Sequence, residues 1–125
     1  MQVIFNLPMP QERHADLAVR TALRIQEAAR DREFSGVRLH TRIGICTGDV
    51  IAGNVGSRDR LNYTVVGDPV NMAARLERMN KELGTMVLVS GATVGRLTES
   101  FPLSASREVH VRGWEAPVAV HALDV

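Results

Sequence analysis

Apolar residues recur along this chain with two different periods. From Gln11 to about Arg30, Ala15, Ala18, Val19, Ala22, Ile25 and Ala29 fall on one helical stripe, with Glu12, Arg20, Arg24 and Glu27 largely off it. The spacing predicts a helix whose mostly alanine face lies close against a sheet. From Val37 to Cys46 the period is two, which predicts a strand carrying Arg38, His40 and Arg42 on one face. Short apolar runs at Gln2 to Leu7, Tyr63 to Val66, Met86 to Ser90, Phe101 to Leu103, Glu108 to Arg112 and Val118 to Leu123 read as further strands. Asp31 to Gly36 reads as a polar loop, Gly91 to Leu97 as a short helix, and Gly113 to Pro117 as a turn.

The stretch from Leu61 to Glu77, LNYTVVGDPVNMAARLE, joins three signals: a β-rich segment, the Gly67-Asp68-Pro69 punctuation and an amphipathic helix. Asp68 suits the N-cap because its carboxylate can accept from the open amides of the first turn. Pro69 suits the next position because its missing N–H would have had no partner there. Gly84 is placed to close the helix as its C-cap.

At 125 residues the chain suits one folding unit with a core of its own. Fifteen basic residues against 14 acidic, with 23% charged and 45% hydrophobic, describe a globular protein without a bias toward nucleic acid or membrane. No apolar run approaches the roughly 18 residues of a membrane span, and no charged n-region precedes an apolar one. Cys46 stands alone, so an internal disulfide and a multi-cysteine zinc site are excluded. A reducing, cytoplasmic setting is expected, with Cys46 packed in a strand.

Candidate chemistry concentrates on the second helix. Asn71 and Arg75 are one helical turn apart and reach the same small volume. A neutral donor–acceptor fork beside a fixed cation suits an anionic, oxygen-rich partner, although an ordinary solvated helix face has the same composition. Gly44, Gly48, Gly53 and Gly56 fit neither the dinucleotide nor the P-loop spacing, which favours turns, bulges and close backbone approach over a phosphate cradle. His14, near a helix start and without a second ligand nearby, reads as surface or cap. Arg38 and His40 read as a solvated strand face.

Arg42-Ile43-Gly44-Ile45, Thr47-Gly48 and the string from Tyr63 through Val70-Asn71-Met72-Ala73-Ala74-Arg75-Leu76 together resemble the class III adenylate/guanylate cyclase catalytic domain, over a match running from Val3 nearly to Val125. The resemblance implies an α+β fold, a ferredoxin-like antiparallel sheet with helices packed on one face. It also implies an enzyme that converts a nucleoside triphosphate to a 3′,5′-cyclic monophosphate and pyrophosphate. Such enzymes work as dimers whose composite sites lie at the interface, with two divalent metal ions, magnesium or manganese.

By that resemblance Asn71 orients the ribose, Arg75 stabilises charge on the α-phosphate, and Thr64 reads the purine edge. A hydroxyl at Thr64 is similar to bacterial adenylate cyclases and favours ATP over GTP; as a residue it is also an ordinary β-branched strand former. Arg112, in Val-His-Val-Arg-Gly, stands where the family usually has a lysine contacting the terminal phosphates, with plain surface exposure as the alternative. Arg42 would meet the phosphates from the metal-bearing side, and Ser57 to Arg60 would belong to an arm reaching the partner subunit.

The family's first strand, first helices and second strand, with both metal aspartates and the base-reading lysine, find no counterpart in this chain. Residues 1–125 are therefore expected to form the C-terminal two thirds of the domain. No metal is expected on this fragment, which should be inactive alone and prone to a swapped or non-native oligomer where the complete enzyme forms a homodimer. Any membrane anchor would lie in other segments. Guanylate cyclase is the alternative within the family, and a non-catalytic dimerisation or nucleotide-sensing module the alternative outside it.

Overall fold

The computed structural model describes residues 2–6, 10–30, 33–34, 37–38, 41–55 and 62–125; at residues 30, 33, 34, 37, 38, 51–55 and 62–66 the backbone alone is described. The alanine-rich stripe forms α1 (His14–Arg30). Two-residue strands β1 (Glu33–Phe34) and β2 (Val37–Arg38) pair antiparallel. After them come β3 (Ile43–Ile45), β4 (Ile51–Val55), β5 (Asn62–Val66), α2 (Asp68–Leu83), β6 (Val87–Ser90), α3 (Gly91–Val94), β7 (Arg107–Val109) and β8 (Val118–Ala122). Leu103 and Leu123 form one further antiparallel bridge.

The main sheet has the order β3-β6-β8-β7, and β4-β5 is a separate antiparallel hairpin that feeds α2. Three strands follow the expected antiparallel rule, but β3 and β6 run parallel, with Gly44 beside Leu88. The reason lies in the connection. The hairpin and α2 carry the chain back to the starting end before β6 begins, as a parallel neighbour requires. The α+β class expected from the sequence is the one found.

The helices, expected on one face of the sheet, cover both. Val19 and Ala22 of α1 pack with Ile45, Val87, Val89 and Leu123, whereas Met72 and Leu76 of α2 pack with Leu88, Val109, Val111 and Val120. Strand β6 explains this, because all four of its residues are buried and a strand sends successive side chains to opposite faces.

Several local expectations are corrected. The run from Gln2 forms no strand over residues 2–6, which pair with no described strand and so have no ladder to join. Instead Asn6, at φ 72°, exchanges side-chain and backbone hydrogen bonds with Gln11. Residues 7–9, 39–40 and 56–61, including His40 and the expected arm from Ser57 to Arg60, lie outside the described residues. The long strand expected from Val37 is described only as the short β2 and β3, and the loop expected from Asp31 holds β1.

The cap of α2 is Gly67 rather than Asp68. Gly67 has φ 151°, a conformation strained for any side chain, and a Cβ there would lie a tight 3.3 Å from the Asp49 carbonyl and the Val50 Cα. Its carbonyl accepts from the Val70 and Asn71 amides, leaving Asp68 as the first helical residue. At the other end Gly84 adopts the left-handed conformation (φ 69°) and donates to the Asn80 carbonyl, as its position in the sequence predicts.

Candidate active site

Helix α2 lies antiparallel over β3 and is held there at three points. A methyl group on Gly44 would overlap the Ala73 carbonyl oxygen and stand 2.5 Å from the Glu77 nitrogen, so the helix and strand backbones touch directly. One on Gly48 would fall 2.5 Å from the Pro69 ring, fixing the start of the helix. Close backbone approach is thus borne out at Gly44, whereas at Gly48 it is the Pro69 ring that leaves no room for a side chain. At the far end the fully buried Asn80 amide donates to the carbonyls of Ile43 (2.9 Å), Leu76 and Glu77 (3.2 Å each), while its oxygen accepts from the Thr85 hydroxyl at 2.7 Å. Nothing in the sequence distinguished Asn80 from a surface asparagine except its place on the helix face that also carries Leu76.

With its underside fixed, α2 presents Asn71 to solvent and leaves Arg75 half-buried on the same side, one turn further along. The Arg75 guanidinium lies over the ring of Trp114, 5.7 Å from its centroid. Trp114 sits there because Val111 is buried in the core beneath α2, and the chain then turns. The Trp114 amide donates to the Val111 carbonyl at 3.0 Å, and Gly113 adopts φ 94°. Arg112 occupies the same turn with its side chain exposed. The structure therefore brings Asn71, Arg75 and the Arg112 turn to one end of the sheet.

Arg42 is elsewhere. It is exposed beside Ile43, whose amide bonds to the Met86 carbonyl and whose own carbonyl is held by Asn80, at the opposite end of α2 from Asn71. Thr64 stands opposite Gly53 in the hairpin, with its backbone alone described. An open groove of about 560 Å³ lined by Gly84, Met86, Leu103, Ala122 and Val125 contains none of these residues and lies by the C-terminal end of α2.

Two buried polar groups that sequence patterning missed shape the scaffold. Asp16, 1% exposed, accepts from the Thr98 amide (3.0 Å) and hydroxyl (2.7 Å) and from the Glu99 amide (3.1 Å), and Arg20 pairs with Glu99. The Thr98 hydroxyl bond, together with the two amides and nearby Arg13, holds the Asp16 carboxyl below its ordinary pKa in spite of burial. Thr47, Ser90 and Thr93 share hydroxyl hydrogen bonds at the ends of β3 and β6. Half-buried Cys46 follows β3; burial pushes its thiol pKa up, so the group stays protonated and unreactive near neutral pH.

Among the described residues no three His, Cys, Asp or Glu side chains gather as a metal site. The residues described therefore do not fit the two divalent ions that the cyclase resemblance implies. No helix among the described residues is long and apolar enough to cross a membrane.

Comparison with known proteins shows the family to which the fold belongs. Residues 1–124 match the adenylate and guanylate cyclase catalytic domain, and the chain belongs to that family. It is 45% identical over 98 residues to adenylate cyclase 1 of Rhizobium meliloti (strain 1021), which covers 74% of this chain and 15% of that protein. The guanylate cyclase domain of RhGC from Catenaria anguillulae, solved in complex with GTP, superposes with a TM-score of 0.76 at 26% identity, covering 96% of this chain and 64% of that one. The adenylyl cyclase CyaB from P. aeruginosa superposes at 0.67 with 26% identity, covering 97% and 65%. The chain thus spans a small part of its full-length relative and somewhat under two thirds of the solved chains.

Proposed function

We propose that this chain is the C-terminal two thirds of an adenylate cyclase catalytic domain, supplying the ribose- and phosphate-handling half of a composite site at a dimer interface. The observation that carries the reading is the arrangement at the N-terminal end of α2: Asn71 and Arg75 stand one turn apart, with Arg75 against the turn that bears Arg112. In the reaction a ribose 3′-oxygen attacks the α-phosphorus of ATP and pyrophosphate leaves. Asn71 would orient the ribose by hydrogen bonding. Arg75 would meet the charge that grows on the α-phosphate oxygens, a preformed electrostatic contact that needs no rearrangement at the moment of reaction. Arg112 would hold the terminal phosphates, its planar fork replacing the point charge of a lysine. Thr64 would read the purine edge.

Arg42, at the other end of β3, suits a role in the second composite site of a dimer, where it would approach the phosphates from the metal-bearing side. The two divalent ions would be held by carboxylates outside the described residues and would supply activation of the 3′-oxygen and charge neutralisation. On this reading the chain alone is inactive and the reaction cytoplasmic. The end strands β3 and β7, each with one side unpaired among the described residues, favour a dimer or larger assembly.

The test is cyclic-nucleotide production from ATP and from GTP, in magnesium and in manganese, by the chain alone and mixed with a complete cyclase domain whose own Asn and Arg are substituted. The expected result is no turnover alone, and cyclic AMP from the mixture that falls by on the order of 100-fold with Asn71→Ala or Arg75→Ala. Turnover by the chain alone would overturn the missing-carboxylate account. Failure of every mixture with demonstrated heterodimers would overturn the composite site, and preferential cyclic GTP formation would replace adenylate by guanylate cyclase.

A further inference from the structure

We infer that Trp114 is a positioning residue for Arg75: its indole fixes the direction in which the guanidinium is presented to a phosphate. This rests on the reading of Arg75 given above and adds a residue to it. An arginine side chain on a helix surface has many rotamers, and an electrostatic contact made at the moment of reaction loses strength when its donor must first be ordered. Among the described residues no carboxylate pairs with Arg75 to order it. What lies against its guanidinium is the Trp114 ring.

The ring is itself immobilised from below. Trp114 packs against the cluster of Met72, Leu76, Leu88, Val109, Val111 and Val120, and its amide is bonded to Val111 across the turn. Gly113 makes the turn possible at φ 94°, and a Cβ there would come to 3.8 Å from the Arg75 Nη2, so the backbone as well as the ring borders the guanidinium. An aromatic face steers a guanidinium without consuming it. The attraction is to the planar face of the cation, so the N–H edges stay available for a bidentate anion. A carboxylate in the same place would order Arg75 but would occupy those edges and oppose the phosphate charge. Because Arg112 sits two residues before Trp114, one short turn would present a cation of its own and aim a second from α2.

The experiment compares wild type with Trp114→Leu, which keeps apolar bulk without a ring, and Trp114→Phe, which keeps a smaller ring. The Arg75 Nε–H resonance, assigned by its loss in Arg75→Lys, is expected upfield of the other exposed arginines in wild type and Trp114→Phe. In Trp114→Leu it should return to their position, with the amide spectrum unchanged elsewhere. An Arg75 signal unaffected by Trp114→Leu would overturn the inference, and this measurement needs no turnover. In the mixed dimer, Trp114→Leu is expected to lower kcat by about tenfold with little change in KM, and Trp114→Phe to restore most of it. An unchanged kcat in Trp114→Leu, where Arg75→Ala is inactive, overturns the positioning role alone. Full activity of Arg75→Ala overturns the phosphate reading of Arg75, whatever Trp114 does to its resonance.

Discussion

Asn71 and Asn80 are the same residue on the same helix, and they meet opposite conditions. Asn80 is fully buried and its amide is engaged on both sides, donating to three carbonyls and accepting from Thr85. Asn71 is exposed; its backbone amide donates to the Gly67 carbonyl, but its side chain makes no hydrogen bond to another described residue. A polar group taken out of water must be matched by the protein, so Asn80 is satisfied within the fold and anchors the C-terminal half of α2. The N-terminal half keeps its polar groups in reach of solvent, where a ligand can use them. One helix is therefore divided along its length into an anchored end and a presenting end.

The division is tested most sharply at the presenting end. Arg75→Ala should reduce turnover of the mixed dimer by on the order of 100-fold. The same variant should move the denaturant midpoint of the chain very little, within about 0.5 kcal/mol of stability. A large loss of stability would show that Arg75 is part of the anchor. At the anchored end, Asn80→Ala should cost about 2 to 3 kcal/mol in denaturant unfolding, because it leaves the Ile43 carbonyl and the Thr85 hydroxyl without their partner. A near-neutral result there would erase the contrast between the two asparagines. Gly84→Ala should be milder, about 1 kcal/mol, from forcing a Cβ into the left-handed conformation; a thermal melt suffices to see it.

The smallest effect is expected at Asp16, which plays for α1 the part that Asn80 plays for α2. Its folded pKa lies below the unfolded value of 3.8, so the carboxylate favours the folded state above that value, and the contribution disappears as pH falls through the folded pKa. Unfolding followed below about pH 4 should show a steeper acid loss in wild type than in Asp16→Asn. Equal slopes would mean that the Thr98 and Glu99 contacts do not favour the charged form.

The presenting end was more legible in the sequence than the anchored one. Helical spacing and a motif agree in singling out Asn71 and Arg75, which the structure places one turn apart on α2, and Gly84 was found because a left-handed cap has few alternatives. Asn80 and Asp16 were missed because binary patterning counts polar residues as solvent-facing, and only tertiary structure supplies the carbonyls and amides that make their burial possible. Gly67 displaced Asp68 as the cap for a similar reason: the deciding fact is the nearness of Asp49 and Val50, some twenty residues back in the chain. The strand expected from Gln2 failed because apolar composition cannot supply a pairing partner. The two-sided covering of the sheet followed from the apolar run Val87 to Val89, legible as a buried strand, while the elements that cover it and the parallel β3–β6 pairing set by the long connection through α2 were not.

The bare contact at Gly44 has a mechanical meaning. With no side chain between them, and with Pro69 seated on Gly48 and Asn80 fastened to Ile43, the helix rests on the strand at three spaced supports. A body supported at three points does not rock. A displacement applied to β3 at one end would be delivered as a displacement of Arg75 at the other, like force along a rigid lever. The turn from Arg112 to Trp114 is not one of these supports and is tied instead to the core, through buried Val111 and the packed Trp114 ring. Control of such a site by a neighbouring subunit would thus act in one of two places: on the strand, shifting the helix with it, or on the turn, changing what the arginine faces.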